Sequence, residues 1–355
     1  MGKSPLKAGK LALKTNILDS LRDAVILVND NREVIGFNRA ADEVVALKDK
    51  GKDLSQCFYD QDLLDAVEQV LRNGKPIVKE SMFPFPVGRA YTVDITSLSS
   101  EDENKKSGVM LTMHDITSIR TNERIRADFV ANVSHELRSP LTTLMGFIET
   151  MQGAEELDSA RQKDFLSIMA QESHRMALLL EDLLSLSLIE AHEHERPVGL
   201  VAVSEIVSPV VERLQNRAEK KSMDIVVKYP KEDIQVRGEK TQLVQVVENL
   251  IDNAIKYGDP KTRINVSVMR EKLVADIPSP ALAIAVKNRG DGIAEEDIPR
   301  LTERFYRVDK TRSQAVGGTG LGLAIVKHIL NRHRGKLHIA SVLGEESVFT
   351  AYISQ

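Results

Sequence analysis

The chain has 355 residues, 42% of them hydrophobic, and a formal net charge of −4. That length suits roughly two or three domains of ~100–150 residues with real cores, and the charge balance gives no bulk attraction for nucleic acid. A single cysteine, Cys57, excludes an intramolecular disulfide and leaves a reducing cytoplasm as the default compartment.

Residues 1–14 form a basic N-terminal tail. Lys3, Lys7, Lys10 and Lys14 precede the first acid, Asp19, and nothing upstream resembles the apolar region of a signal peptide. One reading is a solvated tail. The other is a juxtamembrane segment of an inner-membrane protein whose anchor lies upstream, because cytoplasmic flanks of membrane helices are rich in Lys and Arg. Within the chain the richest apolar run, Met176 to Ile189, carries Glu181 and Asp182 and is too short to span a bilayer.

Residues 15–117 read as a first domain. Ala24 to Val28 and Val34 to Phe37 are short strands around the turn Asn29-Asp30-Asn31. A helix capped by Asn38 follows, then strand-like runs at Ile77 to Phe83, Ala90 to Thr96 and Gly108 to Met113, with Glu101 to Lys106 as an exposed loop. This order, and the closing Asp115-Ile116-Thr117 before a helix, resembles an α/β PAS sensor domain. No histidine precedes His114, which speaks against a histidine-ligated haem, and Gln56-Cys57-Phe58-Tyr59 differs from the cysteine motif of flavin-adduct photosensors. The reading is an unliganded or protein-sensing domain.

Residues 118–196 read as two long helices. Val133, Leu137, Leu141, Leu144, Ile148 and Met151 recur at spacings of three and four, as do Phe165, Ile168, Met169, Met176, Leu179, Leu180, Leu183 and Leu184. A lone hairpin cannot bury two such stripes, so two copies are expected to pair into a four-helix bundle. On the first helix His135 is followed at once by Glu136, a pair equipped to take a phosphoryl group. A neutral imidazole, with a reference pKa near ~6.5, attacks through one nitrogen while the acid accepts a hydrogen bond or proton from the other. Pro140, five residues on, is expected to kink the helix.

Residues 197–355, opened by the linker Pro197-Val198-Gly199, make the last domain. Strand-like runs at Ile225 to Val227, Ile264 to Val268 and Ala281 to Val286 mix with helices at about 204–221, 239–257 and 321–333. Asn249, Asn253 and Lys256 share one helical stripe, and two poor helix formers there suggest a task. The glycines from Gly317 to Gly322 let backbone amides approach phosphates at the start of a helix. His192 and His194 lack a cysteine cluster and read as a solvated helix end.

Taken in order, the blocks around His135, around Asn249 to Tyr257, at Gly290 and Gly292, at Thr302 to Asp309, and from Gly317 to Leu323 resemble the H, N, G1, F and G2 boxes of sensor histidine kinases of two-component systems. The wording is most like the phosphate-regulon type. The resemblance implies a multidomain α+β fold: a PAS domain, a helical-hairpin dimerisation domain, and an α/β sandwich of the Bergerat type that binds ATP. It implies Mg²⁺ held by Asn253, with Asn249 nearby and Lys256 on phosphate oxygens. The ATP-binding set it implies also includes Tyr257, Asn288, Gly290, Gly292, Phe305, Arg312, Gly318, Thr319, Gly320, Leu321 and Gly322. Ser139, where relatives carry Thr or Asn, would position water to dephosphorylate the partner. That partner is the receiver domain of a response regulator.

Two departures stand out. Asn288 occupies the place of the adenine-binding Asp and lacks its charge, and Glu345 replaces the usual second glycine after Gly344, a change expected to affect a turn. The expected function is autophosphorylation of His135 from Mg-ATP and transfer to a regulator aspartate, with dephosphorylation as a second activity. A phosphatase-biased or weakly active homologue, resting on Asn288, is the second reading. A Bergerat-type ATPase without histidine chemistry is the third, and it leaves the block at 129–143 without a use.

Overall fold

The computed structural model describes residues 18–45, 51–83, 88–98, 108–153, 158–232, 234–271, 273–274, 277, 280–309 and 318–354. The basic tail, the expected loop Glu101 to Lys106, Arg312 and Gly317 lie outside the described residues. The chain divides into two compact units, Met1–Val130 and Ala131–Gln355.

In the first unit β1 (Ala24–Val28) and β2 (Val34–Phe37) form a hairpin, and α1 (Arg39–Val45) follows. Asn38 caps α1 as expected. Its Oδ1 accepts the N–H groups of Ala41 at 3.0 Å and Val25 at 2.9 Å, so the cap also ties the helix to β1. A second helix, α2 (Gln61–Asn73), is absent from the expected elements. Asp60 caps its start at Leu63 N–H, Gly74 ends it with a φ of 67°, and Leu63, Leu64, Val67 and Val70 are buried on one face. The strands β3 (Ile77–Phe83), β4 (Arg89–Leu98) and β5 (Gly108–Asp115) complete an antiparallel sheet of order β2-β1-β5-β4-β3. Alternation along β4 and β5 sends Tyr91, Val93, Ile95, Leu111 and Met113 into the core with Phe58. At the exit, Asp115 Oδ1 accepts the Thr117 N–H at 2.9 Å, and the Thr117 hydroxyl accepts the Ala90 N–H at 3.0 Å. The Thr117 contact holds the Asp115 carboxyl below its ordinary pKa. The first residue of α3 (Thr117–Gly153) is thereby fixed to β4.

In the second unit α3 and α4 (Ser159–Ala191) form the expected hairpin, with Phe147 and Phe165 packed at a centroid distance of 4.9 Å. α3 is helical through Pro140, which is buried. Much of the apolar surface stays open: Leu141, Met145 and Ile148 on α3, and Leu180, Leu184 and Leu188 on α4, are 41–66% exposed. The remainder is an α/β sandwich. It runs β6 (Leu200–Ala202), α5 (Val203–Glu219), β7 (Asp224–Lys228), β8 (Gln235–Arg237), α6 (Lys240–Tyr257), β9 (Arg263–Glu271), β10 (Ala281–Arg289), α7 (Gly322–Arg332), β11 (Lys336–Val342) and β12 (Glu346–Ser354). Its main sheet has the order β11-β12-β10-β9-β7, parallel only between β7 and β9, and β6 pairs with β8 apart from it. The helices α5, α6 and α7 present Ile206, Val210, Leu250, Ile251, Ile325 and Ile329 as buried layers over Ile264, Val266, Ile284 and Val286. His192 and His194 are exposed at the end of the hairpin, and no group of three metal-ligating side chains occurs among the described residues.

Candidate active site

The helical spacing of α3 puts His135 and Ser139 on one exposed face, one turn apart. They line an open groove of about 420 Å³ with Arg138, Thr142 and Thr143. Pro140 has no N–H to offer, so the Glu136 carbonyl loses its helical partner immediately beside the histidine. The Glu136 side chain points the other way and is half-buried. Its Oε2 accepts from Arg175 Nη2 of α4 at 3.3 Å and from Arg307 Nη2 at 3.0 Å.

On α6 the apolar side, Val246, Val247, Leu250, Ile251, Ala254 and Ile255, faces the core. Asn253 and Lys256 stay half-buried on the opposite side. Lys256 Nζ is 2.8 Å from Asp252 Oδ2, and Asp252 also meets Arg217 at 2.5 Å. Asn249 Nδ2 is buried and has no hydrogen-bond partner among the described residues. Two helices of the site are locked together by His333, which sequence reasoning passed over. Its Nδ1 donates to the Ile329 carbonyl at 2.7 Å and its Nε2 accepts the Glu239 N–H at 3.1 Å, at the start of α6. Burial holds this imidazole below its ordinary pKa, in the neutral form that both bonds require.

Asn288 ends the buried part of β10 and is 5% exposed. Beyond it the chain must pass close to other backbone. A Cβ on Gly290 would stand 2.6 Å from the Tyr257 carbonyl oxygen, and one on Gly292, whose φ is 67°, would stand 2.2 Å from that of Val342. Neither position has room for a Cβ, and the left-handed φ of Gly292 adds a second demand for glycine there. The Gly290 N–H donates to the Glu345 carbonyl at 3.1 Å and the Gly344 N–H to Asp291 at 2.6 Å, so Glu345 does sit in a turn, the one between β11 and β12.

Phe305 takes a φ of 64°, a costly conformation for a bulky residue other than glycine. Its N–H donates to the Gly320 carbonyl at 2.9 Å, which joins the segment after Thr302 to the glycine loop. Gly318, Thr319, Gly320 and Leu321 lead into α7, whose first residue is Gly322, beside Asn249. The glycine loop and α7 also meet α4. The Thr319 hydroxyl donates to Asp182 at 2.7 Å, Arg304 meets Glu190 at 2.5 Å, and His328 lies 2.9 Å from Glu193 and 3.3 Å from Glu190. Asn331 and His328 together hold the Glu193 carboxyl below its ordinary pKa, against the opposing effect of burial. Arg175, Asp182, Arg304, Arg307 and His328 were not singled out as site residues. For Asp182 the available signal was the pair of acids, Glu181 and Asp182, inside the apolar run Met176 to Ile189.

The donor set suits a nucleotide carrying Mg²⁺. Asn253 offers a hard amide oxygen, Lys256 a cation and the glycine loop its amides, while the orphaned Asn249 amide is a buried donor awaiting an acceptor. Mg²⁺ takes few protein oxygens and is completed by water and phosphate.

Residues 15–117 match the PAS domain, residues 125–192 the His Kinase A (phospho-acceptor) domain, and residues 238–355 the histidine kinase-, DNA gyrase B-, and HSP90-like ATPase. The phosphate regulon sensor protein PhoR of Pseudomonas aeruginosa is 33% identical over 350 residues, covering 94% of this chain and 72% of that protein. The sensor-like histidine kinase SenX3 of Mycolicibacterium smegmatis is 34% identical over 337 residues, covering 93% and 83%. The crystal structure of histidine kinase ThkA in complex with response regulator protein TrrA shares the fold, with a TM-score of 0.51 and 22% identity over 95% of this chain and 97% of that one. The chain belongs to the sensor histidine kinases and is similar among them to the phosphate-regulon type. Its activity is that of an ATP-dependent protein-histidine kinase.

Proposed function

We propose that His135 is the phosphoacceptor, Asn253 the Mg²⁺ ligand, and Glu136 the group that orients His135 and takes its proton. Bound Mg-ATP supplies the phosphoryl group and the cation that offsets its charge. One imidazole nitrogen forms the N–P bond as the bond from the γ-phosphorus to the bridging oxygen breaks and ADP leaves. The proton on the other nitrogen passes to Glu136 once its carboxylate, held here by Arg175 and Arg307, turns toward the imidazole. Lys256 and the amides from Gly318 to Gly322 hold phosphate oxygens, Tyr257 and Phe305 flank the nucleotide, Asn288 accepts from the adenine amino group, and Arg312 belongs to the lid over it. The observation that supports the reading is the 3.0 Å contact of Arg307 with Glu136, the chain neighbour of His135, which sets the segment before the glycine loop against α3.

The open stripes on α3 and α4 support a homodimer built as a four-helix bundle, since apolar surface of this extent needs a cover. The groove beside His135 and Ser139 supports docking of a response regulator, whose aspartate receives the phosphoryl group. Ser139 would later orient water to remove it. No helix among the described residues is long and apolar enough to cross a membrane, and an anchor upstream of the basic tail remains part of the proposal. Similarity to named kinases along almost the whole chain favours this reading over a phosphatase-biased homologue.

The test is incubation of the full chain with γ-labelled ATP, followed by addition of receiver domains. The expected product is an acid-labile, base-stable phosphoprotein whose label moves to a receiver. An acid-stable label, or none, contradicts the proposal.

A further inference from the structure

The glycine loop before α7 is held by an acid from α4. Thr319 Oγ1 donates to Asp182 Oδ2 at 2.7 Å while accepting the Leu321 N–H at 3.3 Å. Through one hydroxyl, the carboxylate of Asp182 therefore engages an amide that leads into a helix start, the kind of donor an anion seeks. Asp182 is half-buried, and desolvation raises its pKa; the Thr319 hydroxyl and the nearby Lys256 ammonium act in the opposite sense and favour the charged form, while Glu181 and Asp252 add to the rise. The Thr319 hydroxyl has a single proton to give. It can serve Asp182 or a phosphate oxygen, not both.

We propose that Asp182 is an internal anion that competes with nucleotide phosphate for the glycine loop, so that this contact with α4 and entry of a triphosphate exclude one another. The proposal rests on the nucleotide-site reading given above. Two negative groups directed at the same donor repel each other, and the half-burial of Asp182 reduces screening by water. Other contacts to α4 lie outside the loop and the segment bonded to it: Gln245 Nε2 donates to Ser185 at 2.9 Å, and His328 on α7 holds Glu190. The loop therefore releases Asp182 while α7 stays on the hairpin. ATP binding in this chain works against a built-in competitor.

The test is a titration of the full chain with Mg²⁺ and a non-hydrolysable ATP analogue, with adenosine as the phosphate-free comparison. Asp182→Asn removes the charge and keeps the shape. Its affinity for the triphosphate is expected to rise about 5-fold, the size of a partly exposed charge interaction, while its affinity for adenosine stays level. Asp182→Glu keeps the charge and is expected to bind like the original chain. Asp182→Ala serves as the neutral variant if the Asn form is unstable, with the same rise expected. Unchanged or weaker triphosphate affinity in the neutral variant, or an equal gain for adenosine, overturns the proposal. Asn253→Ala, run alongside, separates the two claims. Loss of triphosphate binding there, with no gain in Asp182→Asn, overturns the internal anion alone; undiminished binding in Asn253→Ala overturns the nucleotide-site reading and the proposal with it.

Discussion

Glu136 and Arg307 stand 171 positions apart in the chain and meet at 3.0 Å. The Arg307 side chain is 4% exposed, and its Nε has no hydrogen-bond partner among the described residues, so Glu136 is the anion that compensates its burial. Arg175 approaches the same carboxylate oxygen from α4. The acid next to His135 is thus held from two sides, once by its own hairpin and once by the nucleotide region.

Loss of Arg307 is expected to disturb the acceptor geometry more than nucleotide binding. Arg307→Gln should lower the autophosphorylation rate at saturating ATP about 10- to 100-fold, the cost of a small misplacement at a reacting centre, with affinity for ATP little changed. Arg307→Lys should recover part of the rate. Single-turnover labelling beside a nucleotide titration separates the effects, and an affinity loss equal to the rate loss would make Arg307 a nucleotide ligand instead.

Ser139 lies one turn from His135 on the same exposed face. If its hydroxyl orients water, Ser139→Ala lowers dephosphorylation of the phosphorylated regulator about 10-fold while autophosphorylation falls less than about 2-fold. Matched losses in both assays would assign the residue a structural role in α3.

Asn288 is uncharged where the family pattern has Asp. A hydrogen bond to a charged group contributes ~1.5–3 kcal/mol against ~0.5–1.5 for a neutral pair. Asn288→Asp is therefore expected to tighten ATP binding about 10-fold and to raise labelling at low ATP, with little change at saturation. Calorimetry of both forms decides it, and an unchanged affinity would mean that this side chain does not touch adenine.

His333 gives the nucleotide region a defined acid sensitivity. Burial lowers its folded pKa, so the folded protein prefers the neutral ring while the unfolded chain titrates near ~6.5. Below that pH the unfolded state binds the extra proton. The stability from this group is complete above about 6.5 and is lost as pH falls toward the depressed folded value, by at most about 1.4 kcal/mol per pH unit. Urea unfolding from pH 7.5 to 5 should show this slope, and His333→Asn should be less stable at pH 7.5 with a flatter profile. An equal slope in both proteins would place the acid sensitivity elsewhere.

Much of this fold was legible because its signals are local. The stripes around Leu141 and Leu184, the Asn38 cap and the run from Ala281 to Val286 each carry their own period or cap. The helix Gln61–Asn73 had the same kind of signal in Asp60, Leu63, Val67 and Val70, and was passed over among neighbouring strands. The short pair β6 and β8 has too few residues to show a period. Within the site, Asn253 and the glycine loop announce themselves by composition. Arg175, Asp182 and Arg307 do not, because their meaning comes from partners 39, 137 and 171 positions away. An isolated charge on a helix reads as a solvated one until its partner is placed.

The central claim is that His135 receives the phosphoryl group from a nucleotide held by a separate part of the chain. Labelling of His135→Gln with γ-labelled ATP, beside a nucleotide titration of the same protein, tests it most directly. The expected result is no acid-labile label, with ATP affinity within about 2-fold of the original chain; retained labelling in His135→Gln would assign the phosphoryl group to another residue.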